Sequence, residues 1–147
     1  MTTKTSDMVR GLVAAVPEKG DRGRREHAVS TFLGTYASRD VDTRTSLLAD
    51  DCTMEDPAGL VVGRNKEKCR KFFEVVIARD IKASFTINRM IGVSNQVVVD
   101  ALMELQEGEA TPCHLALIFR FEFDDQDLIS KIVTYFDGAC VADAPLA

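Results

Sequence analysis

Tryptophan is absent from this chain, histidine occurs only at His27 and His114, and none of the four cysteines falls in a C-x-x-C pair. So few imidazoles and no paired thiols argue against a histidine-rich metal centre or a zinc ribbon, and no metal is expected. Cys52, Cys69, Cys113 and Cys140 lie too far apart for a disulfide framework and read as reduced, mostly buried thiols. No apolar run approaches the ~18 residues of a membrane helix. The amino terminus also has neither the basic n-region nor the long apolar h-region of a signal peptide. A cytoplasmic protein with no membrane partner is expected. There is no G-x-G-x-x-G loop, internal repeat or low-complexity tract, and no cofactor is expected. Positive charge is in the minority, with 18 Lys and Arg against 23 Asp and Glu for a net charge of −5. A surface of that sign repels nucleic acid and anionic lipid, so neither is a partner.

What is present is a chain of 147 residues, 46% of them hydrophobic, which suffices for one domain with a core and room for a pocket. Residues 1–22 read as a peripheral extension in which Met1 to Thr5 fray. There Ser6 or Asp7 caps a short helix carrying Met8, Leu12, Val13 and Val16. Residues 23–147 read as the single domain. Ala28, Val29, Phe32, Leu33 and Tyr36 recur along one helical face. Asp40 or Asp42 caps a second helix whose Leu47 and Leu48 turn inward. Val61 and Val62 form a short strand ending at Gly63, and Lys66 to Arg79 is an amphipathic helix with Cys69, Phe72, Phe73, Val76 and Ile77 inward. The period then falls to two, predicting strands from Ile81, over Gln96 to Leu105, over Pro112 to Phe123 and over Leu128 to Phe136. Helices first and then a four- or five-strand meander describe an α+β cone, a curved, mainly antiparallel sheet wrapped around helices with a central pocket.

The stretch LLADDCTMEDPAG, from Leu47 to Gly59, carries an acid where a purely structural pattern places an apolar residue. If residues 52–58 form a strand, Cys52, Met54 and Asp56 share one face while Thr53 and Glu55 share the other. A carboxylate on the apolar face loses hydration, so the pKa of Asp56 rises toward the range useful for proton transfer while Glu55 stays solvated. The alternative is a surface strand with two exposed acids before a Pro57-Ala58-Gly59 turn. Asp100 is a second carboxylate in an apolar setting, on a strand where Val97, Val99, Ala101, Met103 and Leu105 face one way and Val98, Asp100, Leu102 and Glu104 the other. By the same alternation His114 groups with Ala116 and Ile118, away from Leu115, Leu117 and Phe119 on the pocket face.

The run from Phe32 to Phe73, with LLADDCTMEDPAG followed by a basic helix ending in two phenylalanines, resembles the ketosteroid isomerase branch of the NTF2-like superfamily. That superfamily also holds SnoaL-like polyketide cyclases and limonene epoxide hydrolases. HLALIFRFEFDDQDLISKIVTYFD resembles the closing hairpin of that fold. The resemblance implies an NTF2-like, or cystatin-like, cone and places Asp56 at the position of the isomerase general base. The two oxyanion donors of that branch, a tyrosine and a protonated aspartic acid, align with Phe32 and Leu117, neither of which donates a hydrogen bond. Tyr36, one turn beyond Phe32 on the same face, is either a replacement donor or a core or rim tyrosine. Compared instead with the epoxide hydrolases, Asp100 aligns with the general acid, Val98 with the arginine and Thr134 with the second aspartate.

Three functions follow from this resemblance. The first is a cofactor-independent isomerase acting on a small hydrophobic ketone, with Asp56 as proton shuttle and Tyr36 or Asp100 as donor to the developing oxygen anion. The second is a cyclase, lyase or epoxide-opening activity using Asp56 and Asp100 as base and acid. The third is a non-catalytic small-molecule-binding domain. Phe32, Met54, Phe73, Leu102, Leu117 and Phe119 are expected to line the pocket, and a homodimer through the outer face of the sheet is expected.

Overall fold

The computed structural model describes residues 4–146. The fraying expected at the amino terminus lies partly on residues 1–3, outside the described range. Helix α1, Thr5–Ala14, buries none of its residues. Its N-cap is Lys4, with no side-chain bond, in place of Ser6 or Asp7. Met8, Leu12 and Val13 are exposed, Leu12 by 65%, so this apolar stripe does not face the core.

Helix α2, Arg22–Ser38, starts where the Asp21 carboxylate accepts the backbone N–H of Arg24, and it buries Ala28, Val29, Phe32 and Leu33. It stops at Arg39, whose left-handed φ of 59° ends the hydrogen-bond ladder. Asp40 caps α3, Val41–Ser46, by accepting from the N–H of Thr43 at 3.0 Å. The helix is shorter than the sequence implied: Leu47 lies beyond it, and the fully buried Leu48 opens strand β1, Leu48–Glu55. Strand β2, Val61–Gly63, leads to α4, Lys66–Ala78, capped by the Asn65 side chain, with Cys69 and Phe73 buried. Four longer strands follow: β3, Ile81–Val93; β4, Gln96–Glu107; β5, Cys113–Phe123; and β6, Ile129–Tyr135. A final strand β7, Val141–Ala142, pairs with β5 at His114 and Leu115.

The sheet order is β2-β1-β6-β5-β4-β3, with β7 off this path on β5. Every pair is antiparallel except β1 with β6, which run parallel. The expected meander of four or five strands holds for β3 to β6. The seven-stranded sheet of the described residues is mixed because β1 inserts between β2 and β6. The result is an α+β cone: a curved, unclosed sheet folded over α2, α3 and α4.

One buried ion pair fastens the wide end. Arg25, at the start of α2, meets Asp127, in the β5–β6 turn, at 3.3 Å, and its Nη2 donates to the Ser94 carbonyl at 2.8 Å. Its other nitrogen Nη1 also donates to the Lys19 carbonyl, so a single guanidinium ties two hairpin turns to the helix.

Candidate active site

The turn after β1 is held by its own side chains. Asp56 lies one residue past the end of the strand, not within a strand running to residue 58. Alternation nevertheless carries on, with Cys52 and Met54 buried and Asp56 partly buried on the same side. The Asp56 N–H donates to the Leu60 carbonyl at 2.9 Å, and the Glu55 carboxylate accepts from the Gly59 N–H at 2.9 Å. Glu55 therefore braces the turn. The Ala58 N–H reaches across to the Thr134 carbonyl on β6 at 2.8 Å, and the Thr134 hydroxyl donates back to Asp56 Oδ1 at 2.6 Å. These two bonds aim the Asp56 carboxylate into the cone. Burial raises the pKa of Asp56 from its ordinary value, and the Thr134 hydroxyl, which stabilises the charged form, opposes that rise.

Asp56 opens onto a cavity of about 230 Å³ between α2, α3, α4 and the concave face of the sheet. Phe72, Phe73 and Val76 come from α4, Ala83 and Phe85 from β3, Met103 and Leu105 from β4, and Leu115, Leu117 and Phe119 from β5. Among the described lining residues Asp56 is the only carboxylate; the other polar groups are Tyr36, Arg44 and Thr134. Tyr36 stands on the α2 face, its ring edge-on to Phe32 at 5.8 Å and to Phe85 at 5.1 Å. Its hydroxyl bonds to no described residue. Burial raises the pKa of Tyr36; Arg44 lowers it and Asp56 raises it further. At neutral pH it is a neutral phenol with a free donor.

Of the expected site residues, Asp56, Tyr36, Phe73, Leu117 and Phe119 meet in this cavity. Phe32 and Met54 lie one layer behind it, in the core; Phe32 packs on Phe73 at 6.1 Å and Phe121 at 5.4 Å. Asp100 and Leu102 do not line the cavity. In the β4–β5 register Asp100 stands opposite Ile118 and Leu102 opposite Ala116, on the outer face, where Asp100 is exposed. An Asp56–Asp100 acid–base pair is thus geometrically separated. His114 borders an outer groove with Leu102, Pro145 and Leu146. The residue that sequence reasoning missed is Arg44, which is buried in the cavity wall.

Fold and site together define the class, a member of the NTF2-like superfamily with an apolar cavity and one carboxylate aimed into it. The profile of the SnoaL-like domain family matches residues 29–132, and the chain belongs to that family. Among curated proteins, none is significantly similar in sequence. Solved structures share the fold. A Mycobacterium tuberculosis LEH-like epoxide hydrolase is 21% identical with a TM-score of 0.74, over 82% of this chain and 88% of that one. The Δ5-3-ketosteroid isomerase of a Mycobacterium species is 19% identical with a TM-score of 0.72, over 81% and 97%. M. tuberculosis RV0760c, in complex with estradiol-17β-hemisuccinate, is 17% identical with a TM-score of 0.73, over 81% and 98%.

Proposed function

We propose that this protein is a cofactor-independent isomerase-like enzyme that moves a proton between two carbons of a small hydrophobic ketone, of steroid or polyketide type. One observation carries the reading: a carboxylate with a raised pKa and a phenol hydroxyl without a protein partner line the same apolar cavity. In this reading Asp56 takes a proton from the carbon beside the carbonyl and becomes a carboxylic acid. It then returns the proton to a second carbon of the same conjugated system. Tyr36 donates a hydrogen bond to the carbonyl oxygen as negative charge builds there, and the dry walls strengthen that bond. The solved relatives that act on or bind steroids lend support. The absence of a second carboxylate in the described lining weighs against an epoxide-opening relay through an Asp pair.

A screen of 5-ene-3-ketosteroids and simpler enolisable ketones tests this. On any substrate found, Asp56→Asn lowers turnover by about 10²-fold to 10⁴-fold, and Tyr36→Phe by about 10²-fold to 10³-fold, the cost of one oxyanion donor. Wild-type turnover by Asp56→Asn refutes the proton-shuttle role. Saturable ligand binding without turnover of any enolisable ketone replaces the isomerase with a binding domain.

We also propose a homodimer through the outer face of the sheet. Ile91, Ile118 and Tyr135 are exposed there on neighbouring or nearby strands, apolar surface interspersed with Asp100 and Arg120. A monomer in sedimentation at micromolar concentration overturns this.

A further inference from the structure

Arg44 is 2% exposed, yet no carboxylate of a described residue lies within the 4.0 Å of an ion pair. Its Nε donates to the Thr35 hydroxyl at 2.9 Å and its Nη2 to the Thr35 carbonyl at 3.1 Å. A guanidinium carries five N–H donors, and the rest of the fork, including both hydrogens of Nη1, bonds to no described residue. The group lies 3.6 Å from the centroid of the Tyr36 ring and 4.6 Å from that of Phe73, which offsets part of the cost of burying a cation. It does not neutralise that charge. No carboxylate supplies the missing partner: Asp56 is bonded to Thr134, and Asp40, which acts on Arg44 from a distance, is bonded to Thr43. The cavity wall therefore carries a carboxyl at Asp56 and, not ion-paired with it, a buried guanidinium stacked on the Tyr36 ring.

We propose that Arg44 is an anion subsite, and that the ligand of this cavity is an apolar molecule bearing a carboxylate. The free edge of the guanidinium receives the carboxylate, and the apolar body extends along the aromatic wall toward Asp56. The inference names the substrate class of the reaction proposed above and rests on this cavity being the ligand site; it does not require turnover.

The test is a pair of probes of matched shape, 2-naphthoate and 2-naphthamide, titrated calorimetrically into wild type, Arg44→Gln, Arg44→Lys and Asp56→Asn near neutral pH. A charge-assisted bond to a buried guanidinium favours the naphthoate by about 10-fold to 100-fold in wild type. Arg44→Gln abolishes that preference with little change for the naphthamide, and Arg44→Lys retains part of it. Asp56→Asn keeps it or increases it, because the variant removes a like charge from the far end. Equal affinities in wild type, absence of saturable naphthoate binding, or a preference that survives Arg44→Gln each overturn the proposal. The wild-type comparison decides even if an Arg44 variant does not fold. An anion preference without turnover leaves this inference standing and removes the isomerase. Turnover that needs Asp56 without an anion preference does the reverse.

Discussion

Replacing Thr134 with valine tests the electrostatics of the site before any substrate is known. Thr134 is 3% exposed, and its hydroxyl lies 2.6 Å from Asp56 Oδ1. Valine fills almost the same space and removes the donor. A hydrogen bond to an ionised group contributes about 1.5–3 kcal/mol, and one between neutral groups about 0.5–1.5 kcal/mol. For a domain of this size each kcal/mol moves Tm by about 2–4 °C. The variant should therefore melt roughly 3–12 °C lower where Asp56 is ionised and about 1–6 °C lower where it is protonated.

The sign follows from the direction of the Asp56 shift. Burial sets its folded pKa above the unfolded value, Thr134 holds it down, and the valine variant lets it climb further. Below the unfolded pKa of about 3.9 the carboxyl is protonated in both states, and only the neutral bond is lost. As pH rises through the wild-type folded pKa, wild type ionises with its donor in place and the variant without one, so the gap widens until both are charged. Thermal melts of the two proteins from about pH 3.5 to pH 8 read this directly. A gap that is constant or narrows with rising pH means that Thr134 does not stabilise an Asp56 carboxylate. If a substrate is in hand, the acid limb of its pH–rate profile moves to higher pH in the variant.

Asp56→Asn should be at least as stable as wild type near neutral pH, because wild type loses stability as pH rises through its raised folded pKa and the amide does not; the difference should vanish in melts below about pH 3.9. Arg25→Ala leaves Asp127 buried without its partner and should cost about 3–5 kcal/mol in urea unfolding, since the pair is only 3% and 10% exposed. Gly63→Ala would set a Cβ 2.6 Å from Cys69 Sγ and 2.8 Å from the Cys69 backbone nitrogen, costing about 1–3 kcal/mol in the same assay. In Gly34→Ala the Cβ meets nothing within 4 Å, and the helix should gain about 0.4–1 kcal/mol.

The period of the chain made most of the elements legible. Ala28 to Tyr36 and Cys69 to Ile77 repeat at helical spacing because each packs one stripe on the concave face of the sheet, and the long strands alternate because only that face is covered. Three features left no such trace. The parallel pairing of β1 with β6 joins residues about eighty positions apart, and no local pattern encodes it. Strand β7 has two residues, too few to show alternation. The stripe on α1 has helical spacing yet is exposed among the described residues, so spacing shows the helix but not what, if anything, its face packs on.

The site divides along the same line. Asp56 was visible because a single acid broke an apolar alternation that continues from β1 into the turn. Asp100 misled because both faces of the first half of β4 are apolar, so hydrophobicity could not say which face met the cavity. The β4–β5 register settles it, since Asp100 stands opposite Ile118 while Leu117 and Phe119 turn inward. Arg44 gave no signal at all. In the six-residue helix VDTRTS a charged side chain reads as solvated, and its burial arises only where α3 packs against α2 and α4. In the proposed reaction the donor is Tyr36, one turn along the same helical face from Phe32. Phe32 is sealed against Phe73 and Phe121 and has no polar atom to offer, but one turn later the same stripe of α2 reaches the cavity wall. There a phenol stands within electrostatic reach of both Asp56 and Arg44, so one helical face supplies the core a fully buried ring and the cavity a hydroxyl bonded to no described residue.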